Sequence, residues 1–149
     1  MIERSCVPAR QVLATVCALI GLGVGFLDGP HAAEPPKSVW DGVFTETQAQ
    51  RGKAVYLQRC AACHSSGDQA PALYGSDFLS DFNGRTLAEL FDRIKNTMPQ
   101  DKPASLTPQE ASDVTAYVLS FSFPVGQAEV DHEAAALSRI KFEAAKPQR

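Results

Sequence analysis

Two cysteines and a histidine stand close together in the stretch Cys60-Ala61-Ala62-Cys63-His64. This C-x-x-C-H spacing is the signature of covalent haem attachment. On a helix, residues three apart share a face, so both sulfurs can reach the two vinyl groups of one porphyrin. His64 is then turned inward, where an imidazole nitrogen can bind the iron. The motif predicts one haem c with its iron, attached through Cys60 and Cys63 and ligated by His64.

Other uses of the cysteine pair fit the sequence less well. A thioredoxin-like redox pair lies near a β-α-β pattern, and no such pattern surrounds this motif. A structural zinc site needs four well-spaced ligands; apart from the N-terminal leader, the chain offers only Cys60, Cys63, His64 and His132. A disulfide between Cys60 and Cys63 would close too small a loop to contribute much stability.

An electron-transfer haem needs a second axial ligand, and Met98 is the candidate. It is the only methionine besides Met1, and it ends a predicted helix immediately before Pro99, so its thioether can reach the iron. Methionine ligation raises the reduction potential. Three alternatives stay open: an apolar packing role for Met98, a bis-histidine haem ligated by His132, and an open site that binds ligands or reacts with peroxide.

Hydrophobic periodicity predicts three helices and no strands. Each helix starts at a threonine followed three residues later by glutamine or glutamate, the pattern of a capping box: Thr45 with Gln48, Thr86 with Glu89, Thr107 with Glu110. A shorter apolar-faced turn is expected at 77–82. Ala111, Val114, Tyr117 or Val118, and Phe121 form the predicted inward stripe of the third helix. The fold class is therefore all-α.

Gly52 lies in the middle of the first predicted helix. A glycine there costs about 1 kcal/mol relative to alanine. This cost indicates that another backbone approaches the helix closely at Gly52.

The N-terminus is typical of an export signal. Arg4 and Arg10 precede an apolar run from 12 to 27, and small residues follow at Ala32 and Ala33. An uncleaved membrane anchor is the alternative, although the run is short for a spanning helix. Cleavage near Ala33 would remove Cys6 and Cys17 as well. The predicted organisation is a signal peptide at 1–33, an arm at 34–44, a haem domain at 45–123 and a C-terminal tail at 124–149. The predicted location is the periplasm.

The arm and the tail carry weak patterns. The arm begins after Ala33 with Glu34 and a pair of prolines and has no periodicity, but Trp40, the only tryptophan, is predicted to pack against the domain. In the tail, Ala134, Leu137 and Ile140 lie in weak helical register. The tail is therefore expected either to pack back on the domain or to be mobile.

Length and charge limit the function classes. At 149 residues the chain suits one domain. Its 14 basic and 17 acidic side chains are mixed and give a formal net charge of −3. Without a basic patch or stripe, nucleic acid binding is not expected. A membrane contact is expected only through an uncleaved leader.

These residues resemble the class I c-type cytochromes over about 52–121. The resemblance rests on Gly52 and Tyr56 before the motif, Pro71-Ala72-Leu73 after it, Met98-Pro99, and Val114 with Tyr117. It implies a cytochrome c-like helical domain wrapped around one covalent haem, with Met98 as the distal ligand. It also implies that the first and last helices cross at a glycine–aromatic contact, and that the Pro71 carbonyl accepts the Nδ1–H of His64.

A narrower resemblance covers 39–142, which is similar to small periplasmic cytochromes that occur beside bacterial quinoprotein dehydrogenases. It implies a single-electron carrier, not an enzyme, that is a monomer or forms transient complexes. Its donor would be a dehydrogenase and its acceptor a cytochrome or terminal oxidase of the respiratory chain. Phe82 stands where that group commonly has tryptophan, and it cannot make the hydrogen bond of an indole N–H near the haem. Arg85 is a candidate partner of the haem propionates; the alternative is an ordinary surface arginine near a helix start. The alternatives are a permanently bound dehydrogenase subunit, attached through arm and tail, and a haem sensor or peroxidase with an open iron site.

Overall fold

A computed structural model describes residues 37–65 and 68–148 of the chain. The predicted export signal, including Cys6 and Cys17, lies outside the described residues. The elements, in chain order, are β1 (Lys37–Ser38), a 3-10 turn (Val39–Asp41), α1 (Glu46–Arg59), α2 (Ala61–His64), α3 (Gly75–Phe82), α4 (Leu87–Thr97), α5 (Pro108–Leu119), α6 (Ala134–Leu137) and β2 (Ile140–Lys141). The all-α prediction is confirmed, with one two-residue parallel strand pair as an addition.

The predicted helix starts are those observed, because each threonine satisfies free N–H groups of the first turn. Thr107 Oγ accepts from Glu110 N at 3.1 Å, and Glu110 Oε2 accepts from Thr107 N at 2.7 Å. The hydrogen bond from Thr107 N to the Glu110 carboxylate holds the pKa of Glu110 below its ordinary value. Thr86 and Glu89 form a second complete box. In α1, Thr45 Oγ caps Gln48 N, but the Gln48 side chain does not return the bond, so that half of the prediction is wrong.

α1 and α5 cross at Gly52, as the mid-helix glycine predicted. A Cβ at Gly52 would lie 1.8 Å from Asp113 O and 3.0 Å from Tyr117 Cβ, so only glycine permits this approach. Next to the crossing, the Tyr56 and Tyr117 rings meet edge to face with centroids 5.1 Å apart. α5 ends at Leu119, before Phe121. Phe121 was predicted to face inward, but it is 41% exposed, because it lies in the turn that follows the helix.

A charged network holds the tail to this crossing. Arg51 of α1 binds both carboxylate oxygens of Asp113 in α5, at 2.9 and 3.0 Å. The same guanidinium binds both oxygens of Glu129 in the tail, at 2.8 and 3.1 Å. These carboxylates hold the pKa of Arg51 above its ordinary value. One fixed cation therefore joins three segments of the chain.

The arm and the tail pack against each other and into the same core. β1 pairs with β2, with Lys37 opposite Ile140. Gly126 passes so close to the arm that a Cβ there would lie 1.7 Å from Gly42 O. Val39 is fully buried. Of the two behaviours expected for the tail, packing on the domain is the one observed.

Aromatic rings form the centre of this junction. Phe142 of the tail is fully buried and lies 5.2–5.9 Å, centroid to centroid, from the rings of Phe78, Phe82 and Phe123. Trp40 packs edge to face on Phe123 at 5.1 Å and donates its Nε1–H to Glu143 O. The predicted packing of Trp40 against the domain is confirmed, and its partners include the tail.

Gln48 fixes the tail through its side-chain amide. The fully buried amide donates to Val130 O at 2.9 Å and accepts from Val130 N at 2.7 Å. Gln48→Ala would leave both buried backbone groups of Val130 unpaired, at a cost of roughly 1–3 kcal/mol for each group that water does not reach. We therefore expect urea unfolding of the holoprotein to show a loss of about 2–4 kcal/mol.

Gln50→Ala on the same helix is the matched control. Gln50 is exposed and contacts only Glu46 among the described hydrogen bonds, so we expect a change within about 0.5 kcal/mol. Equal losses for the two variants would contradict the tail-fixing role of Gln48.

Candidate haem site

The cysteine–histidine motif lies where α1 gives way to α2. α1 ends at Arg59, Cys60 leaves the helical conformation at φ −123°, and α2 then runs from Ala61 to His64. His64 N donates to Cys60 O at 3.0 Å, and Cys63 N donates to the same oxygen at 3.1 Å. One tight turn therefore carries both sulfurs and the imidazole, and the two cysteines are not joined in a disulfide.

The two thiols differ in burial. Cys60 is half-buried and packs against the hydrophobic core, whereas Cys63 is exposed. Burial raises the pKa of the Cys60 thiol, the neighbouring Arg59 cation opposes this effect, and Cys63 adds to it. Because Cys60 is half-buried and packs against the core, it suits the more deeply buried of the two thioether bonds to the porphyrin.

His64 is oriented by a backbone carbonyl. Its Nδ1 lies 2.7 Å from Pro71 O, the arrangement that the family resemblance implies. A proline carbonyl can only accept a hydrogen bond, so Nδ1 must carry the proton. In the neutral imidazole, Nε2 is then unprotonated and has a free lone pair. This is the state in which histidine binds a metal.

Met98 lies where the sequence placed it, directly after α4. Its backbone is extended (φ −115°, ψ 153°), and its side chain is half-buried. The helix stripe up to Ile94 is buried in the core. The helix ends before Met98. The Met98 side chain therefore does not have to point in the direction that Ile94 takes into the core.

The rival ligands are less favourably placed. His132 is exposed in the tail, with its Nε2 4.0 Å from a Glu133 carboxylate oxygen. Between residues 37 and 148, leaving out 66 and 67, no group of three or more His, Cys, Asp and Glu side chains could hold a metal ion. The described residues thus contain no alternative zinc centre.

The loop at 99–106 contacts Arg59, the residue directly before the haem-attachment motif, which the sequence did not predict. Arg59 Nη2 donates to Ser105 Oγ at 2.5 Å. Ala104 adopts the left-handed conformation at φ +57°, and Leu106 is 2% exposed. In the sequence, only the position of Arg59 directly before the first cysteine points to this contact, and that position does not predict which residue Arg59 binds.

Phe82 and Arg85 take part in contacts within the protein. Phe82 is buried, and the guanidinium carbons of Arg85 and Arg93 lie 5.9 and 5.5 Å from its ring centre. Arg85 also donates to Asp81 O and to Glu89. Its role as a propionate partner therefore remains a prediction. Arg93, which the sequence did not single out, shares the same aromatic surface.

A covalent haem fits this set of residues. Two cysteine thiols lie on one turn beside an imidazole whose Nδ1 is already engaged, so its Nε2 is available to iron. The thiols would hold the porphyrin through thioether bonds, and His64 would ligate the iron. In the part of the chain that the structure describes, no helix is long and apolar enough to cross a membrane.

Comparisons with known proteins identify the family. Residues 47–118 match the family model described as cytochrome C oxidase, cbb3-type, subunit III. The chain is 29% identical to photosystem II extrinsic protein V of Synechococcus sp. (strain JA-3-3Ab), over 70% of this chain and 65% of that protein. It is 33% identical to the protein of the same name from strain JA-2-3B'a(2-13), over 66% and 62%. The chain thus spans slightly less than two thirds of these relatives' length. No solved structure gives a significant match.

The matched region contains the elements that form the site: α1, the cysteine–histidine motif, Met98 and most of α5. The covalent haem c predicted from Cys60 and Cys63 is therefore confirmed at the level of the family. Proteins of the cytochrome c family are electron-transfer proteins rather than enzymes. Residues 47–118 thus form a cytochrome c family domain, and the predicted resemblance to the class I c-type cytochromes is confirmed.

Proposed function

We propose that this chain is an exported, monohaem carrier of single electrons whose iron is ligated by His64 and Met98. The observation that carries the proposal is the 2.7 Å hydrogen bond from His64 Nδ1 to Pro71 O. It fixes the tautomer and the ring orientation that an axial ligand needs. When bound, the haem supplies a one-electron couple. The protein has only to attach, orient and shield it.

The two ligands have different tasks. The engaged Nδ1–H makes His64 a better donor and keeps its ring from turning. The thioether of Met98 donates weakly, so it favours the reduced form and raises the potential. Both side chains are half-buried, which limits the access of water to them. The expected result is a fairly positive potential with no open position for substrates.

Met98→Ala tests this ligand assignment. The wild-type oxidised protein should show the weak near-infrared charge-transfer band of methionine–iron ligation, and its reduced form should not bind carbon monoxide readily at neutral pH. The variant should lose the band, bind carbon monoxide, and fall in potential by at least roughly 0.1 V, within the ~0.8 V that axial ligands span.

His132→Ala is the control, because it removes the rival ligand and leaves Met98 in place. It should match the wild type in all three measurements. Loss of the wild-type spectrum in His132→Ala would instead establish a bis-histidine haem. Ready carbon monoxide binding by the wild type would favour a sensor or peroxidase with an open site.

For the pathway, we propose a periplasmic carrier between a dehydrogenase and the respiratory chain. The segments at 39–53, 84–99 and 123–130 support it through their similarity to dehydrogenase-associated cytochromes. The arm and tail are consistent with a free carrier, since Val39 and Phe142 are fully buried within the domain. A small, short-lived interface suits such exchange.

The second candidate is a stably bound subunit of a larger redox complex. The name of the relatives, photosystem II extrinsic protein V, favours it, because it describes an attached component. Affinity purification of the tagged chain from its native membranes separates the two. A stoichiometric, salt-resistant partner complex would establish the subunit, and a monomer reduced by several donors would establish the carrier.

A further inference from the structure

The loop that follows Met98 is tied to the helix that carries the haem motif. We propose that the Arg59–Ser105 hydrogen bond clamps the loop at 99–106 against the end of α1 and so keeps the Met98 thioether on the iron. This inference rests on the proposed function, in which Met98 is the distal ligand. Arg59 is a positioning residue in this arrangement, since it acts through the loop.

The clamp joins the two sides of the haem site. Arg59 directly precedes Cys60, one of the haem-attachment residues, and is half-buried at the end of α1. Its Nη2 donates to Ser105 Oγ at 2.5 Å, in the segment that follows Met98. With the haem attached, Cys60, Arg59, Ser105 and Met98 would form a closed ring of contacts around it. Loss of the Arg59–Ser105 hydrogen bond should therefore weaken the hold of Met98 on the iron.

The loop has little else to hold its middle. Its ends are secured by α4 and by Leu106, which is 2% exposed and precedes the capping box of α5. Between them, residues 100–104 are exposed, and the described backbone bond within the loop joins Lys102 N to Pro99 O. Ala104, next to Ser105, holds a left-handed conformation at φ +57°. Such a conformation persists only where the surroundings impose it.

Arg59 is suited to bridge several elements at once. Its hydrogen-bond partner is a neutral hydroxyl, and none of the ion pairs found among the described residues includes Arg59. Its charge contributes, after the Thr107 hydrogen bonds, to the lowered pKa of Glu110 at the start of α5. The guanidinium thus lies near the end of α1, the loop and the first turn of α5. A long cation in this position can fix the loop relative to both helices.

Ser105→Ala and Arg59→Gln test the clamp from its two sides. Ser105→Ala removes the acceptor and keeps the cation, so it separates the hydrogen bond from the charge. Imidazole competes with Met98 for the iron of the oxidised holoprotein. A loosened loop should therefore increase imidazole affinity by about five- to tenfold, the effect of one ordinary hydrogen bond. The double variant should equal Arg59→Gln, because the contact that Ser105→Ala removes is already absent there.

Lys102→Gln is the matched control, since it removes an exposed cation from the same loop. It should bind imidazole as the wild type does. Hydrogen exchange gives a readout that does not involve the iron. Amides of residues 99–106 should exchange several-fold faster in Ser105→Ala and Arg59→Gln, and those in the second half of α5 should not change.

The outcomes separate the clamp from the ligand assignment. If the wild type and Met98→Ala bind imidazole equally, Met98 is not the ligand and the proposed function fails. If Met98→Ala binds imidazole much more tightly but Ser105→Ala matches the wild type, the clamp alone is overturned. An equal rise in Lys102→Gln would also overturn it. Should Arg59→Gln fail to accumulate holoprotein, Ser105→Ala decides the question.

Discussion

Gly52→Ala is expected to lower the free energy of unfolding by about 3 kcal/mol or more, although it adds only one methyl group. The new Cβ would lie 1.8 Å from Asp113 O, a backbone atom of a buried helix, so α1 and α5 must move apart. Overpacking of this kind typically costs about 1–3 kcal/mol and more where backbone must shift. Urea unfolding of the oxidised holoprotein measures the loss. Gly52→Val should prevent folded holoprotein from accumulating.

Ala54→Val provides the control on the same helix. Ala54 is exposed, so this substitution carries only the helix-propensity cost, about 0.5 kcal/mol. If Gly52→Ala proved as stable as Ala54→Val, the close crossing of α1 and α5 would be wrong.

Phe142→Ala is expected to destabilise the protein by about 3–5 kcal/mol, the range for a large aromatic removed from a core. Phe142 is fully buried against three other phenylalanine rings, although it lies near the end of the chain. The loss should appear in urea unfolding with the haem still attached, since the thioether bonds are covalent. The substitution removes the packing that seals the tail onto the domain.

Phe121→Ala is the matched control for Phe142→Ala, because both substitutions remove the same atoms. Phe121 is 41% exposed and contacts Tyr74 and the two tyrosines beside the helix crossing, Tyr56 and Tyr117. Its loss should cost about 1 kcal/mol, from reduced burial and fewer ring contacts. Similar costs for the two variants would show that the tail contributes little to the core.

The helices and their starts could be predicted because their causes are local. Thr86 and Thr107 cap helices whose apolar residues repeat every three or four positions, and both helices form as expected. Gln48 fitted the same local pattern, but its amide binds Val130, 82 residues further along the chain. A capping box and a long-range bond compete for one side chain. The long-range bond is the one observed, and it satisfies both buried backbone groups of Val130.

The same distinction applies to the site. The cysteine–histidine motif predicts its own chemistry, since all three groups lie within five residues. The Pro71 carbonyl was expected only through the family resemblance, because no pattern in the sequence marks an acceptor. The contact of Arg59 with Ser105 joins residues 46 positions apart and could not be predicted. Neither could the burial of Phe142, whose partners come from α3 and the turn after α5.

The position of Phe142 has a consequence for the order in which the protein can mature. A chain emerges from its N-terminus, so the haem motif is delivered long before residue 142. Until Phe142 arrives, the rings of Phe78, Phe82 and Phe123 lack the partner that covers them. This aromatic cluster at the centre of the junction between arm and tail therefore stays incomplete until residue 142 has been synthesised.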